Sequence, residues 1–313
     1  MLKYTFGRIL SGLVTIWFIA TATFLAMHAV PGDPLMNEKA TTPEIRENLA
    51  RKYGLDKPIA EQYVIYLGNM VQGDFGISFT QQNRKVNDII QDHFPVSAAL
   101  GILAITFAAL GGILWGALTA LYRNQLPDII IMFLVILGIS VPSFVFAALG
   151  QLLLVNINQW FNISFLPVAG WGTFAHMIVP SLVLGLGTMA LLTRLMRSSM
   201  LEIVNEDFIR TARAKGLSHR ATLWHHALRN ALIPVVTILG LQLGGLFSGA
   251  LLVETVFNWP GLGRLAFESV LRRDYPLLLG LLITTTVIVI VANLLTDLVY
   301  RVIDPRIRIG GKR

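Results

Sequence analysis

Hydrophobic and polar positions in this chain fall into long blocks and do not alternate residue by residue. Five windows contain no Asp, Glu, Lys or Arg: 9–30, 93–122, 129–193, 230–253 and 275–296. About 20 apolar residues in a helix cross the hydrocarbon core of a bilayer, so window 129–193 has room for two crossings. The pattern therefore predicts six membrane spans, at 9–30, 95–122, 129–155, 177–193, 231–253 and 276–299.

These runs predict helices, because backbone groups in lipid need hydrogen-bond partners within the same segment or in a closed barrel. Barrel strands would show alternating apolar and polar residues, and the runs do not. Composition supports a lipid environment, since 54% of residues are hydrophobic and 14% are charged, against about 25% charged in soluble domains. The predicted fold class is an all-α integral membrane protein with residues 1–313 as one transmembrane domain.

The distribution of cations predicts the orientation in the membrane. Of the 25 Lys and Arg residues, fifteen lie in 1–8, 123–128, 194–230 and 300–313, and three lie in 156–176 and 254–275. The other seven lie in 31–94, which is too long to weigh heavily in the positive-inside rule. Both termini are therefore predicted to be cytoplasmic, with 31–94 outside and 194–230 inside. A basic soluble protein would suggest nucleic acid as a partner, but here the cations have a topological role.

A cleaved signal peptide is the alternative interpretation of the first apolar run, since Ala20-Thr21-Ala22 resembles a cleavage site. The run continues to Val30 and is long enough to span, which favours an uncleaved first helix. The absence of cysteine excludes disulfides, thiolate metal sites and a cysteine nucleophile.

The external segment 31–94 carries signals for two short amphipathic helices. The first begins at Thr42-Pro43, a cap followed by a first-position proline, and stops at Gly54. The second begins near Pro58 and ends before Gly73. Their apolar faces fit either the outer membrane surface, a partner protein, or the chain's own spans.

The usual motifs for chemistry are missing. The chain has no GxxxxGK[ST] phosphate loop, no HExxH, no GxSxG and no acidic cluster with metal-binding spacing. The adjacent pair His225-His226 points to different faces of a helix, which disfavours a metal site. Asp297 lies four residues before Arg301, a spacing that favours a structural ion pair over a transport role. We therefore predict neither catalytic residues nor metal ligands.

Segment 194–230, between the fourth and fifth spans, has the pattern of folded structure. An apolar stripe recurs at helical spacing, formed by Leu201, Val204, Phe208 and Ala212. Glu206 precedes Arg210 by four residues, a favourable helical pair. Gly216 is placed to end this helix in a left-handed cap, and Ser218 to cap a second helix, 219–233, before Pro234. The pattern predicts a helix–turn–helix elbow projecting from the membrane, although a well-capped loop without function would show the same signals.

Fragments along nearly the whole chain resemble the permease subunits of ABC importers, in the B-type form of the oligopeptide/dipeptide family. In order they are VPGDP, KYGLDKPIAEQYVIYLGNMVQGDFGISF, FPVSAALGILA, ISVPSF, FLPVAGWG, SSMLEIVNEDFIRTARAKGL, HALRNALIP, VETVFNWPGLGRL, RRDYP and VIDPRIR. A lone AxxxG would be weak evidence, but so many fragments in one order are specific. The resemblance implies the type I ABC importer permease fold.

The resemblance also implies that the elbow couples the permease to ATPase subunits, through Phe208, Arg210, Thr211, Ala212, Arg213, Ala214, Lys215, Gly216 and Leu217. Two positions depart from the general ABC coupling motif. That motif begins with Glu-Ala-Ala, where this chain has Arg210, Thr211 and Ala212, and it has proline where Arg229 stands. A coupling contact through that glutamate is therefore not carried over.

A short re-entrant piece near the outer mouth is implied for 256–265, with Trp259, Pro260 and Gly261 as a candidate outer gate. The alternative is that Trp259 is an interfacial anchor without a gating role.

As partners the resemblance implies a second homologous permease, two cytoplasmic ATPases that bind ATP and Mg, an external solute-binding protein, and membrane lipid. The chain itself would hold no cofactor. Its location would be the bacterial cytoplasmic membrane, and its cargo short peptides, with a nickel chelate, glutathione or an antimicrobial peptide as alternatives within the family. Two other classes remain open: an ion-coupled transporter, although no paired acids and broken helices are visible, and a membrane scaffold.

Overall fold

The described chain is helical almost throughout. The computed structural model describes residues 2–29, 50–51, 54–81, 84–162, 166–247 and 251–303. Within these ranges the β-type pairing is one isolated antiparallel bridge between Ile77 and Lys85. The all-α prediction is confirmed.

Twelve α-helices follow one another in the described ranges. They are α1 (Leu2–Ala29), α2 (Ile59–Val71), α3 (Val86–Leu121), α4 (Leu126–Ser140), α5 (Ser143–Phe161), α6 (Phe174–Ile203), α7 (Asp207–Ala214), α8 (His219–Thr222), α9 (Leu228–Phe247), α10 (Leu251–Val256), α11 (Leu262–Leu271) and α12 (Tyr275–Ile303). A π-helical turn, Leu223–Ala227, joins α8 to α9. Among the described residues five helices are long and apolar enough to cross a membrane, namely α1, α3, α5, α6 and α12, while α4 and α9 are shorter apolar helices.

Four predicted spans coincide with single helices: 9–30 with α1, 95–122 with α3, 177–193 with α6 and 276–299 with α12. Helix α3 begins at Val86, nine residues before the predicted start, and contains Pro95 within it. The fifth predicted span, 231–253, coincides with α9 followed by the start of α10, and residues 248–250 between them lie outside the described residues. The count of six spans stays a prediction.

The predicted span 129–155 is not one continuous helix. Helix α4 ends at Ser140 and α5 begins at Ser143, because Pro142 has no N–H to donate and holds its φ at −58°. The residue before a proline is forced into extended backbone, and Val141 accordingly has φ −91° and ψ 127°. By contrast, α6 accommodates Pro180 and α9 accommodates Pro234 in their interiors.

Packing divides the described residues into two compact units. The first unit consists of residues within 1–97 and 260–290, and the second of residues within 98–259 and 291–313. The core of the first unit is formed by two clusters, one around Val86, Ile89 and Leu281 and one around Phe24, Phe79 and Tyr275. The second unit has a large cluster around Met196, Ile209 and Ala231 and a smaller one around Val253 and Phe257.

Small residues allow close helix contacts in the second unit. A β-carbon added at Gly185 of α6 would lie 2.6 Å from the backbone oxygen of Ala104 on α3. At Gly116 of α3 it would lie 2.5 Å from the β-carbon of Met196 on α6. Without a hydrophobic driving force in lipid, such close approach is what stabilises helix pairs. The glycines at these positions therefore serve close helix packing.

Segment 31–94, which was predicted to be external, is described in part. Helix α2 begins after Pro58, and Gly54 and Gly73 have φ of +70° and +75°, so both predicted glycine stops are confirmed. The predicted turn at 30–34 and the predicted helix start at Thr42-Pro43 lie outside the described residues, as does the Asp297 side chain.

Candidate functional site

The predicted elbow is a short helix between two turns. Helix α6 ends at Ile203, residues 204–206 form a turn, and α7 begins at Asp207. Glu206 is the residue before α7 and has extended backbone, with φ −70° and ψ 150°. The chain therefore bends between the long apolar helix and the elbow helix, where the sequence had suggested one continuous stripe from Leu201 to Ala212.

Gly216 closes the elbow helix in a left-handed cap. Its φ is +86°. The N–H of Gly216 donates to the carbonyl of Arg213 at 2.9 Å, and the N–H of Leu217 donates to the carbonyl of Ala212 at 3.3 Å. These two bonds define a Schellman motif, which satisfies carbonyls that the helix end leaves unpaired. The predicted cap at Gly216 is confirmed.

Ser218 caps the next helix, as predicted. Its Oγ accepts a hydrogen bond from the N–H of Ala221 at 3.3 Å. The N–H of Thr222 donates to the Ser218 carbonyl at 2.9 Å. The prediction that this helix stops before Pro234 is wrong: α8, the π-helical turn and α9 continue one another as far as Phe247. A proline inside a helix removes one hydrogen bond, which an apolar membrane helix tolerates when neighbouring helices pack against it.

The elbow is anchored to its own chain through the inner face of α7. Ile209 is buried in a cluster with Met196 and Met200 of α6 and with residues of the π-helical turn and α9, and Ala212 is also buried. Phe208, predicted to belong to the buried stripe, is exposed instead. The turn at 204–206 interrupts the helix, and α7 starts in a new rotational position. The residue that faces the core is therefore Ile209 and not Phe208.

The outer face of the elbow carries exposed apolar and cationic side chains. The predicted coupling residues on this face are Phe208, Arg210, Thr211, Arg213, Ala214, Lys215, Gly216 and Leu217. Ala212 is not among them, since it points into the chain's own core. Arg210 pairs with Asp207 at 3.4 Å in place of the predicted pair with Glu206.

Trp224 is a surface residue that the sequence reasoning missed. It lies in the π-helical turn and is 56% exposed. π-helical turns within α-helices are frequent at functional sites. A large exposed aromatic side chain is typical of a protein contact surface.

A buried ion pair holds the second unit together close to the elbow. The Arg197 guanidinium binds the Asp128 carboxylate with two bonds of 2.8 Å, Nε to Oδ1 and Nη2 to Oδ2. The N–H of Asn124 also donates to Oδ2, at 2.9 Å. Asp128 is almost fully buried, so the pair joins the start of α4 to the C-terminal part of α6.

Removing one partner of this pair is expected to destabilise the fold. Arg197→Met should lower the free energy of unfolding by about 3 kcal/mol, because it leaves a buried carboxylate without its cation. The double variant Arg197→Met with Asp128→Leu should recover part of the loss. The measurement is the apparent Tm of the detergent-solubilised chain. Arg210→Met, which breaks the exposed pair with Asp207, is the control and should change little. A Tm loss in the double variant equal to or greater than that in the single variant would contradict this account.

The candidate gate residues Trp259, Pro260 and Gly261 lie between α10 and α11. Trp259 is fully buried and stands edge-on to Trp171, with ring centroids 4.7 Å apart. The backbone N–H of Trp259 donates to the carbonyl of Glu254 at 2.7 Å. Gly261 is the residue before α11, with extended backbone. A buried Trp259 argues against a purely interfacial anchor, and the gating role stays a prediction.

Two family descriptions match the sequence and together span most of it. "Binding-protein-dependent transport system inner membrane component" matches residues 112–309, and the corresponding N-terminal description matches residues 1–101. The chain belongs to this family. It is therefore a multi-pass inner-membrane permease of a binding-protein-dependent ABC importer, a non-catalytic component that works with ATPase and substrate-binding partners.

Several curated proteins are similar over their full length. The oligopeptide transport system permease protein OppB of Haemophilus influenzae is 42% identical over 310 residues, covering 98% of this chain and 100% of that protein. The dipeptide transport system permease protein DppB of Bacillus subtilis is 40% identical over 313 residues, covering 100% of both. The glutathione transport system permease protein GsiC of Escherichia coli K12 is 40% identical over 310 residues, covering 98% and 99%.

Solved structures share the fold. An amino acid ABC transporter with bound histidines aligns with a TM-score of 0.53 and 18% identity, covering 69% of this chain and 94% of that chain. The inward-facing MetNI methionine ABC transporter aligns with a TM-score of 0.55 and 16% identity, covering 69% and 96%. The permease fold that the sequence fragments implied is thus confirmed.

Proposed function

We propose that this permease carries short peptides across the cytoplasmic membrane as one half of a pair, driven by two ATPases that dock on the elbow. Peptide cargo is supported by the full-length similarity to oligopeptide and dipeptide permeases. The similarity to glutathione permeases is comparable in extent, and glutathione is itself a short peptide, so that cargo is the second candidate. An external binding protein delivers the cargo.

The observation that carries the coupling role is the anchored, doubly capped elbow. The cap at Gly216, the cap at Ser218 and the burial of Ile209 fix the segment to the ends of α6 and α9. A displacement of the exposed face is therefore transmitted to these two helices, whereas a flexible, solvated linker would not transmit it. Such a fixed lever can bias a helix bundle between an inward-facing and an outward-facing arrangement. ATP and Mg are held by the ATPases, and this chain needs no cofactor.

The orientation follows from the distribution of cations. The elbow carries Arg210, Arg213 and Lys215 on its exposed face and is placed in the cytoplasm, where the ATPases are. Both termini share that side, with six crossings between them, and segment 31–94 faces the binding protein.

Gly216→Val is expected to uncouple transport while leaving the chain in the membrane. A β-branched residue at φ +86° costs about 1–2 kcal/mol, which is small compared with the stability of the fold. The strain is expected to change the direction of the turn that follows the elbow helix. Ala214→Arg should act differently, by adding bulk to the exposed face. The measurement is ATPase pull-down together with uptake of a radiolabelled tripeptide into vesicles at matched permease levels, and both should fall several-fold.

Gly7→Val is the matched control, because Gly7 lies in α1 without positive φ and with no atom within 4 Å of an added β-carbon. Docking and uptake at control levels in both elbow variants would show that the elbow is only a solvated turn. A different outcome is that docking is lost in the elbow variants while the unmodified chain takes up glutathione but not the radiolabelled tripeptide. That result would retain the coupling role of the elbow and make glutathione the cargo.

A further inference from the structure

The first unit contains an open cavity of about 550 Å³, within the range of small-molecule sites. Its wall is formed by α1, α2, the 74–79 loop and the start of α12. Phe24, Phe79 and Leu279 make one side of this wall apolar, and Tyr275 lies beside them. The residues that line the cavity belong to the first unit, whereas the elbow belongs to the second.

The polar side of the cavity is predominantly cationic. Arg51, Lys57 and Lys85 line it, against the single acid Asp74. The Lys57 ammonium is held by Glu61 at 2.8 Å, and an Asp74 carboxylate oxygen accepts from the N–H of Gly76 at 2.9 Å. Lys85 forms no ion pair with any residue in the described ranges. Lys85 therefore offers the cavity a positive charge that no ion pair within the described residues neutralises.

A buried hydroxyl group adds a second open donor. The Oη of Tyr66 is buried and has no hydrogen-bond partner among the described residues. Burial raises the pKa of the Tyr66 phenol, so the group stays protonated and able to donate. His28 is different, because its two ring nitrogens already contact the Phe24 carbonyl at 2.8 Å and the Gln62 Oε1 at 3.2 Å. A buried hydroxyl without a partner costs free energy unless a ligand supplies the acceptor.

We propose that this cavity binds an anionic phospholipid. The phosphate lies at the cationic side and accepts from Lys85 and Tyr66, and an acyl chain lies on the apolar wall. Ile65 also lines the cavity and is exposed. The apolar side of the wall favours a lipid over free phosphate, which would gain nothing from apolar contact. Lys and Arg side chains close to a membrane surface attract anionic lipid headgroups.

The test titrates phosphatidylglycerol onto the full-length chain in a nonionic detergent, with bound lipid counted by native mass spectrometry. Phosphatidylcholine of the same chain length and inorganic phosphate are the comparison ligands. We expect one saturable phosphatidylglycerol, at least tenfold preferred over phosphatidylcholine, and no displacement by 10-fold molar excess of phosphate, since charge-assisted bonds and apolar contact both contribute.

Two variants locate the site. Lys85→Gln removes the open charge and Tyr66→Phe removes only the hydroxyl, and each should weaken phosphatidylglycerol binding roughly tenfold. Tyr66→Phe should leave the apparent Tm of the lipid-free chain unchanged or raised, because no protein partner is lost. Arg123→Gln is the control, since this exposed cation lies outside the cavity and its loss should not affect the lipid.

Several results would overturn the assignment. Unchanged lipid binding in both variants would place the lipid elsewhere. Equal affinity for phosphatidylcholine would show that the cations do not contribute to binding. Displacement by phosphate or by a short acidic peptide would show that a soluble anion is the ligand.

Discussion

Gly185→Ala is expected to lower the yield of folded protein strongly, whereas Gly187→Ala, two residues further along α6, should not lower it. A β-carbon at Gly185 would lie 2.6 Å from the backbone oxygen of Ala104. Real contacts of that kind do not occur, and a backbone atom cannot move aside like the end of a side chain. Helices α3 and α6 would have to separate, with a loss of stability of about 3 kcal/mol.

Gly187 is a matched control because it lies in the same helix and the same apolar surroundings. Its nearest atom, the Gly138 oxygen, is 3.9 Å from the added β-carbon, an ordinary contact. There alanine should stabilise the helix by up to about 1 kcal/mol through its higher propensity. The measurement is the monodisperse fraction and apparent Tm after detergent extraction. Equal values for the two variants would show that α3 and α6 do not approach as closely as described.

Asp274→Ala is expected to be the most damaging substitution in the first unit. The buried carboxylate accepts from the N–H and hydroxyl of Thr80, at 3.1 and 2.7 Å, and from the Phe79 N–H at 3.1 Å. It also accepts from the hydroxyl of Ser78, and from the N–H of Leu277 at 3.3 Å. One side chain thus ties the 78–80 turn to the beginning of α12.

Alanine at 274 leaves several buried donors without an acceptor at once. Each such loss costs about 1–3 kcal/mol, so the total is about 4 kcal/mol or more. Asp274→Asn should cause a smaller loss of stability than Asp274→Ala, since the amide oxygen of Asn can still accept hydrogen bonds. Some loss should remain, because the NH2 group would face other donors. Asp92→Asn, which weakens an exposed pair with Arg84, is the control and should cost under about 1 kcal/mol. The same Tm assay applies, and an Asp274→Ala chain as stable as Asp92→Asn would show that the carboxylate does not organise this turn.

Local signals in the sequence predicted much of the fold. Four of the spans, both caps of the elbow and both glycine stops around α2 depend on residues close together in the chain. The break at Pro142 was not predicted, because Pro180 and Pro234 lie inside helices and the residue type alone does not separate the two outcomes. Packing against neighbours decides whether a proline interrupts a helix.

Contacts between distant residues could not be predicted. Asp128 and Arg197 are 69 residues apart, and Asp274 and Ser78 are 196 apart, so no spacing rule connects them. The inward face of the elbow was placed one residue early, at Phe208, because the turn at 204–206 has no strong sequence signal and resets the helical phase. Trp224 was overlooked for a similar reason, since its exposure depends on the π-helical turn.

The two caps of the elbow also bear on how tightly a partner can bind there. A segment that folds only on binding loses conformational entropy when the complex forms, and its affinity falls accordingly. Here the bonds at Gly216 and Ser218 and the burial of Ile209 already order the segment in the free chain. The elbow is thus preorganised, so an ATPase that docks there, as proposed above, would not have to include the entropy of folding a loop.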